Sequence, residues 1–130
     1  MAPAERKIPA PKINPETAGF WSAASEGRLV IGRCRACNEA HFYPRSICPF
    51  CFSDNTILET AVGKGTIYSF SIMRRVPAPY VMAYVTLEEG PTMMSNIVDC
   101  DPEAVRIGQA VQLIFKPSDG GPPVPMFRCG

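Results

Sequence analysis

The sequence predicts a mainly β protein in which a four-cysteine metal module stands between an N-terminal helix and a small barrel. Three observations carry that prediction. Two Cys-x2-Cys pairs, Cys34/Cys37 and Cys48/Cys51, lie close together. The residues after them read as short runs in which apolar and polar side chains alternate. Fourteen prolines in 130 residues favour short elements and turns over long helices.

Length and composition bound the rest. A chain of 130 residues makes one domain, or one small domain with an appended module. Hydrophobic residues at 46% and charged residues at 19% are an ordinary globular balance. The net charge of +1 lacks the basic excess of a dedicated nucleic-acid binder. The opening residues lack the apolar core of a signal peptide, and no run reaches the roughly 18 apolar residues of a membrane span. The expectation is a soluble cytoplasmic protein whose cysteines bind metal rather than pair.

The first 13 residues, with Pro3, Pro9 and Pro11, read as an extended arm. Asn14 as N-cap, Pro15 at the first helical position and Glu16 on the helix dipole predict a helix running to Gly27. Phe20, Trp21 and Ala24 share one of its faces. That face packs on its own domain or docks on a partner. A short strand, Leu29–Gly32, leads into the cysteines. Beyond them, strands are expected at Ile57–Ala61, Thr66–Met73, Val81–Glu88, Thr92–Val98, Val111–Lys116 and Val124–Cys129. Alternation places Tyr68, Phe70 and Ile72 on one face. Asp101 and Pro102 open a single helical turn. A small closed barrel fits this pattern, an OB-fold being one such solution, and a sandwich is the alternative. The expected organisation is an arm and helix over residues 1–27, a zinc ribbon over 28–56 and an OB-fold over 57–130.

The cysteine spacing specifies the chemistry. Cys34-x2-Cys37 and, ten residues later, Cys48-x2-Cys51 form two knuckles that bring four thiolates into a tetrahedron. Zinc suits that set; iron in the same site and an iron–sulfur cluster are the chemical competitors. Four thiolates fill the shell and leave no position for water, so the metal is structural. His41, between the knuckles, reads as a hairpin residue rather than a ligand. Asn38 follows the first knuckle, where a left-handed backbone is common, and Asn tolerates it. Phe52 follows the second and tolerates it poorly, so that turn differs or is strained. Cys100 and Cys129, outside the motif, read as inert single cysteines.

The order of motifs is informative beyond each one. Phe20-Trp21 precedes Gly27-Arg28-Leu29 and the first knuckle; Phe42-Tyr43-Pro44-Arg45 and Cys48-Pro49-x-Cys51 follow. Then come Gly63-Lys64-Gly65-Thr66-Ile67-Tyr68-Ser69, Ala78-Pro79-Tyr80, Leu87-Glu88-Glu89-Gly90 and Gly108-x2-Val111. From about Pro15 onward the chain resembles the zinc-ribbon plus OB-fold family of acyl-CoA-associated proteins, with Phe52 standing where such proteins often carry Gly. The resemblance implies a rubredoxin-like ribbon ahead of a five-stranded OB-fold. It also implies an accessory subunit that works beside a thiolase-like enzyme of thiolase or aldolase type, or a hydratase. The partner would hold the catalytic residues, while this chain stabilises it or helps to hold CoA thioesters.

The residues agree with a non-catalytic role. A single His leaves no Ser-His-Asp or Cys-His arrangement to argue for, and no glycine-rich phosphate loop is present. Arg74 and Arg75, just past a predicted strand, are the candidate contact for a CoA phosphate; the bland reading is a solvated pair at a strand end. Lys64 and Arg45 are weaker candidates of the same kind. A nucleic-acid-binding module is the competing function, because ribbons and OB-folds both serve it.

Overall fold

A computed structural model describes residues 7–129. Its elements are a helix α1 (Ala18–Ser25), strands β1 (Val30–Cys34), β2 (Ala40–His41), β3 (Thr56–Thr60), β4 (Lys64–Met73), β5 (Tyr80–Leu87), β6 (Thr92–Val98), a 3-10 turn (Pro102–Ala104), β7 (Ala110–Ser118) and β8 (Gly121–Cys129). No helix among the described residues is long and apolar enough to cross a membrane.

Strands β4 to β8 close a five-stranded barrel in the order β4-β5-β6-β8-β7, with β4 and β7 meeting to complete the ring. All neighbours are antiparallel except β6 and β8, which are parallel through only Ile97↔Phe127 and Val98↔Arg128. This is an OB-fold, as expected. Alternation works because the pleat sends successive side chains to opposite faces. On β5, Val81, Ala83, Val85 and Leu87 are buried, and they meet Ile67, Met93, Ile97, Val111 and Phe127 in the core. Gly65 pairs across both Leu87 and Val111 where β4 joins its two neighbours, and a Cβ there would lie 2.6 Å from the Thr86 carbonyl oxygen.

Several expectations change. The run over 57–61, assigned to the barrel span, is instead Thr56–Thr60 and pairs with β1, so this strand completes the ribbon sheet β2-β1-β3. Tyr68 does not share a face with Phe70 and Ile72. A bulge between Ile67 and Ser69 inserts it as an extra residue. Ile67, Phe70 and Ile72 pair with the inward positions Val85, Ala83 and Val81, and Tyr68 is left 68% exposed. The helix also begins later than expected. Asn14 caps the turn before it, its Oδ1 accepting from the Thr17 N–H at 3.0 Å, and α1 proper starts at Ala18. The Glu16 carboxylate does not serve the helix dipole. It accepts from the Ser46 N–H at 2.9 Å, which lowers its pKa and ties the helix entry to the second knuckle. The Asp101 carboxylate accepts from the Glu103 N–H, as an N-cap ahead of Pro102 should. Finally, Cys100 and Cys129 are not single: a disulfide joins them, with Cα atoms 6.2 Å apart.

Helix α1 packs on β1 and β8, burying Phe20, Ala23 and Ala24, while Trp21 is only partly covered. Phe20 is its anchor, 2% exposed, edge-on to Trp21, Phe42 and Tyr43 with centroids at 4.8, 5.7 and 4.7 Å. Phe42 and Tyr43 follow β2 of the ribbon. One aromatic cluster therefore links helix, ribbon and barrel.

Candidate metal centre and apolar groove

The two knuckles repeat one local geometry. The Cys34 carbonyl accepts from the Asn38 N–H at 2.8 Å, and the Cys48 carbonyl from the Phe52 N–H at 3.0 Å. Each turn sends its last residue left-handed, Asn38 at φ 64° and Phe52 at φ 65°. The second knuckle thus keeps the standard turn, and Phe52 bears strain that Gly would not. Its ring is 78% exposed and offsets nothing by burial.

The four sulfurs of Cys34, Cys37, Cys48 and Cys51 lie within 4.8 Å of one another. Cys34 and Cys51 Sγ are 3.6 Å apart, Cys37 and Cys48 Sγ 3.7 Å. A zinc tetrahedron with bonds of about 2.3 Å has edges of about 3.8 Å, so the donor set fits zinc. The backbone prepares the site. The Cys37 N–H points at the Cys34 sulfur and the Phe50 N–H at the Cys48 sulfur, at 3.5 and 3.4 Å. The Cys37 N–H leads in pulling the Cys34 thiol down to about 7. Cys37 receives the Glu39 N–H, yet burial and donation to neighbouring sulfurs push it up to about 12. At Cys48 burial opposes ionisation but loses to the N–H groups of Cys51 and Phe50, and its pKa falls. A closed shell of four thiolates supplies folding energy and no open coordination position.

His41 is no ligand. It is buried in β2 opposite Gly32, where a Cβ would come within 2.1 Å of its Nε2. Nε2 accepts the Arg45 N–H at 3.2 Å, which assigns the proton to Nδ1. Burial, with the Arg45 charge, lowers its pKa.

Arg74 and Arg75 stand beyond the end of β4. Arg74 is paired with Glu103 of the 3-10 turn, and each holds the other's charge: the Arg74 pKa rises and that of Glu103 falls. Arg75 is exposed and, among the described residues, in no ion pair. Lys64 and Arg45 are also exposed and line different hollows of the surface.

Sequence reasoning missed one feature. An apolar groove of about 690 Å³ runs between the aromatic cluster and the outer face of β5, β6 and β8. Trp21 and Tyr43 line one wall; Met82, Tyr84, Met94 and Met126 line the other. Tyr84 and Met94 face each other across β5 and β6 and remain 48% and 57% exposed. The signal was there: Met82, Tyr84 and Met94 occupy outward positions of alternating strands, where polar residues are the rule.

With this geometry in hand, comparison with known proteins is decisive. Residues 21–56 match the rubredoxin-like zinc ribbon domain of ChsH2, and residues 59–116 match its C-terminal OB-fold domain. A DUF35 domain-containing scaffold protein of Methanocaldococcus jannaschii is 38% identical over 104 residues, covering 74% of each chain. This chain belongs to the DUF35 family. A solved structure described as an Ltp2-ChsH2(DUF35) aldolase superposes with a TM-score of 0.83 at 35% identity, covering 92% of this chain and 98% of that one. A probable enoyl-CoA hydratase alpha subunit of Thermomonospora curvata is 36% identical over 125 residues, covering 92% of this chain. The DUF35 chain spans only 39% of that relative's length.

Proposed function

We propose that this DUF35 chain is a non-catalytic scaffold subunit of a cytoplasmic acyl-CoA-processing complex. Its partner is a thiolase-like enzyme of thiolase or aldolase type, which carries the reacting residues and makes or breaks the carbon–carbon bond. The observation that carries this reading is the groove. Met82, Tyr84 and Met94, together with the Trp21 wall, leave contiguous apolar surface outside the barrel core. Methionine and aromatic side chains are favoured at the centre of protein interfaces, and Met adapts its shape to a partner. The similarity to the Ltp2-ChsH2(DUF35) aldolase chain supports an aldolase-type partner. In this reading zinc stiffens the ribbon, and the ribbon and α1 hold the groove wall in place.

A CoA thioester shared with the partner belongs to the same proposal. Arg75 is the better placed of the two arginines to take a phosphate, since Arg74 must first give up Glu103. The acyl group and its reaction stay with the partner.

The test is a double substitution on the outer face. Tyr84→Glu with Met94→Glu puts two carboxylates into the groove without touching the core. Affinity for the co-purified thiolase-like enzyme should fall at least tenfold, by calorimetry, while zinc content stays at one per chain. Unchanged affinity would remove the groove from the interface.

A second reading is favoured by one observation. Tyr68 and Tyr84 are exposed on the barrel wall, and OB-folds stack bases on such rings. A net charge of +1 gives phosphates little attraction. Binding of single-stranded nucleic acid that weakens steeply with salt would revive this reading.

A further inference from the structure

The Cys100–Cys129 disulfide sits at the barrel seam with the fewest register pairs. Strands β6 and β8 are held by two register pairs, Ile97↔Phe127 and Val98↔Arg128, whereas β8 meets β7 along seven. Cys129 directly follows Arg128, and Cys100 lies two residues beyond Val98, its Sγ within 3.4 Å of the Val98 carbonyl. The covalent bond therefore continues the seam where hydrogen bonding stops. It also encloses the whole β7–β8 hairpin, with a separation of 29 residues.

The other four cysteines set the chemical context. They are zinc ligands by geometry, and thiolates must be kept reduced to take up zinc. A compartment that keeps them reduced is one where a disulfide is transient rather than permanent. A closed metal shell shields its own sulfurs from exchange, which leaves Cys100 and Cys129 as the pair that responds.

From these observations we propose that Cys100 and Cys129 are a reversible thiol–disulfide pair that locks and releases the β6–β8 seam. The oxidant is a low-molecular-weight disulfide of the glutathione class. One protein thiolate attacks a sulfur of that disulfide, forms a mixed disulfide and releases one small thiol. The second protein thiolate attacks the bound protein sulfur and releases the other small thiol. The two protons and two electrons lost by the protein end on those two small thiols. In the reduced state β7 and the core around Phe127 keep both cysteines in place, so the thiols stay adjacent and the step reverses. The groove feels the change, because Met94 and Asn96 line it from β6, and Val124 to Met126 from β8. This inference stands whatever the partner is.

The experiment equilibrates the full-length, zinc-loaded protein in glutathione buffers from fully reduced to oxidised. Each sample is then alkylated and weighed intact, and its zinc is measured separately. Two cysteines should change state together while zinc stays bound. The reduced form should melt about 10 °C lower, as expected for opening a loop of this size in a small domain. Hydrogen exchange over 92–98 and 121–129 should quicken at least tenfold, and more than over 64–87. A C100S/C129S variant should match the reduced protein and ignore the buffer. Two thiols that stay reduced at every poise that leaves zinc in place would overturn the proposal. So would oxidation with no change in melting or exchange.

Discussion

Replacing Phe20 with Ala removes the side chain on which helix, ribbon and barrel converge. Phe20 is 2% exposed and edge-on to three other rings. Truncating a buried Phe to Ala costs about 3–5 kcal/mol, through lost transfer energy and the cavity left behind. Each edge-on pair is worth about 0.5–1.5 kcal/mol beyond area, which places this site near the upper end, at about 5 kcal/mol. Phe20→Leu keeps most of the apolar volume and should cost less than half as much. The assay is urea unfolding followed by circular dichroism, with zinc present throughout, comparing midpoints at constant slope. Trp21, the chain's one tryptophan, reports the same site by fluorescence. A loss below about 1 kcal/mol for Phe20→Ala would refute the view that this cluster fastens the ribbon to the barrel.

Other expectations follow from single features. Phe52→Gly should stabilise the protein by about 0.5–1 kcal/mol, the relief of a left-handed Phe less the extra freedom of Gly in the unfolded chain; a lower melting temperature would contradict the strain. Removing zinc with a chelator should abolish the β1–β3 sheet and leave the barrel folded, seen as selective loss of amide protection; retained protection would show that the metal is dispensable. Zinc uptake should release protons at pH 8, since Cys37 and Cys51 both sit above their ordinary value, and affinity should fall as pH drops through about 7, where Cys34 also protonates. The single His41 should titrate below 6.5 by NMR, because burial disfavours its charged form. Its folded pKa is depressed, so its contribution to stability is present above 6.5 and is lost as pH falls towards the folded value.

The clustering of the four cysteines was legible, because a tetrahedron of thiolates demands two knuckles and the spacing delivers them. Strands buried on one face were legible for the same kind of reason: Val81 to Leu87 must alternate to have an inside. The exceptions have local physical causes. The bulge that expels Tyr68 was masked because Tyr68, Phe70 and Ile72 alternate cleanly by themselves; Ile67, out of phase with them, was its only mark. Asn14 carries a true cap signal, but the turn it caps precedes the helix. Strand β3 looks like any other strand, and only its partner β1 assigns it to the ribbon. The Cys100–Cys129 contact depends on a seam closed by strands distant in sequence, which no spacing rule encodes. The groove was half legible: apolar residues at outward positions were visible, but the wall formed by Trp21 and Tyr43 required the packing of α1.

The scaffold role is tested most directly by isolating the tagged full-length protein from its own cells under high salt and weighing what stays bound. The account predicts a thiolase-like enzyme in near-stoichiometric amount, released by Tyr84→Glu with Met94→Glu. Nucleic acid or transcription proteins in its place, with no CoA-processing enzyme, would contradict it.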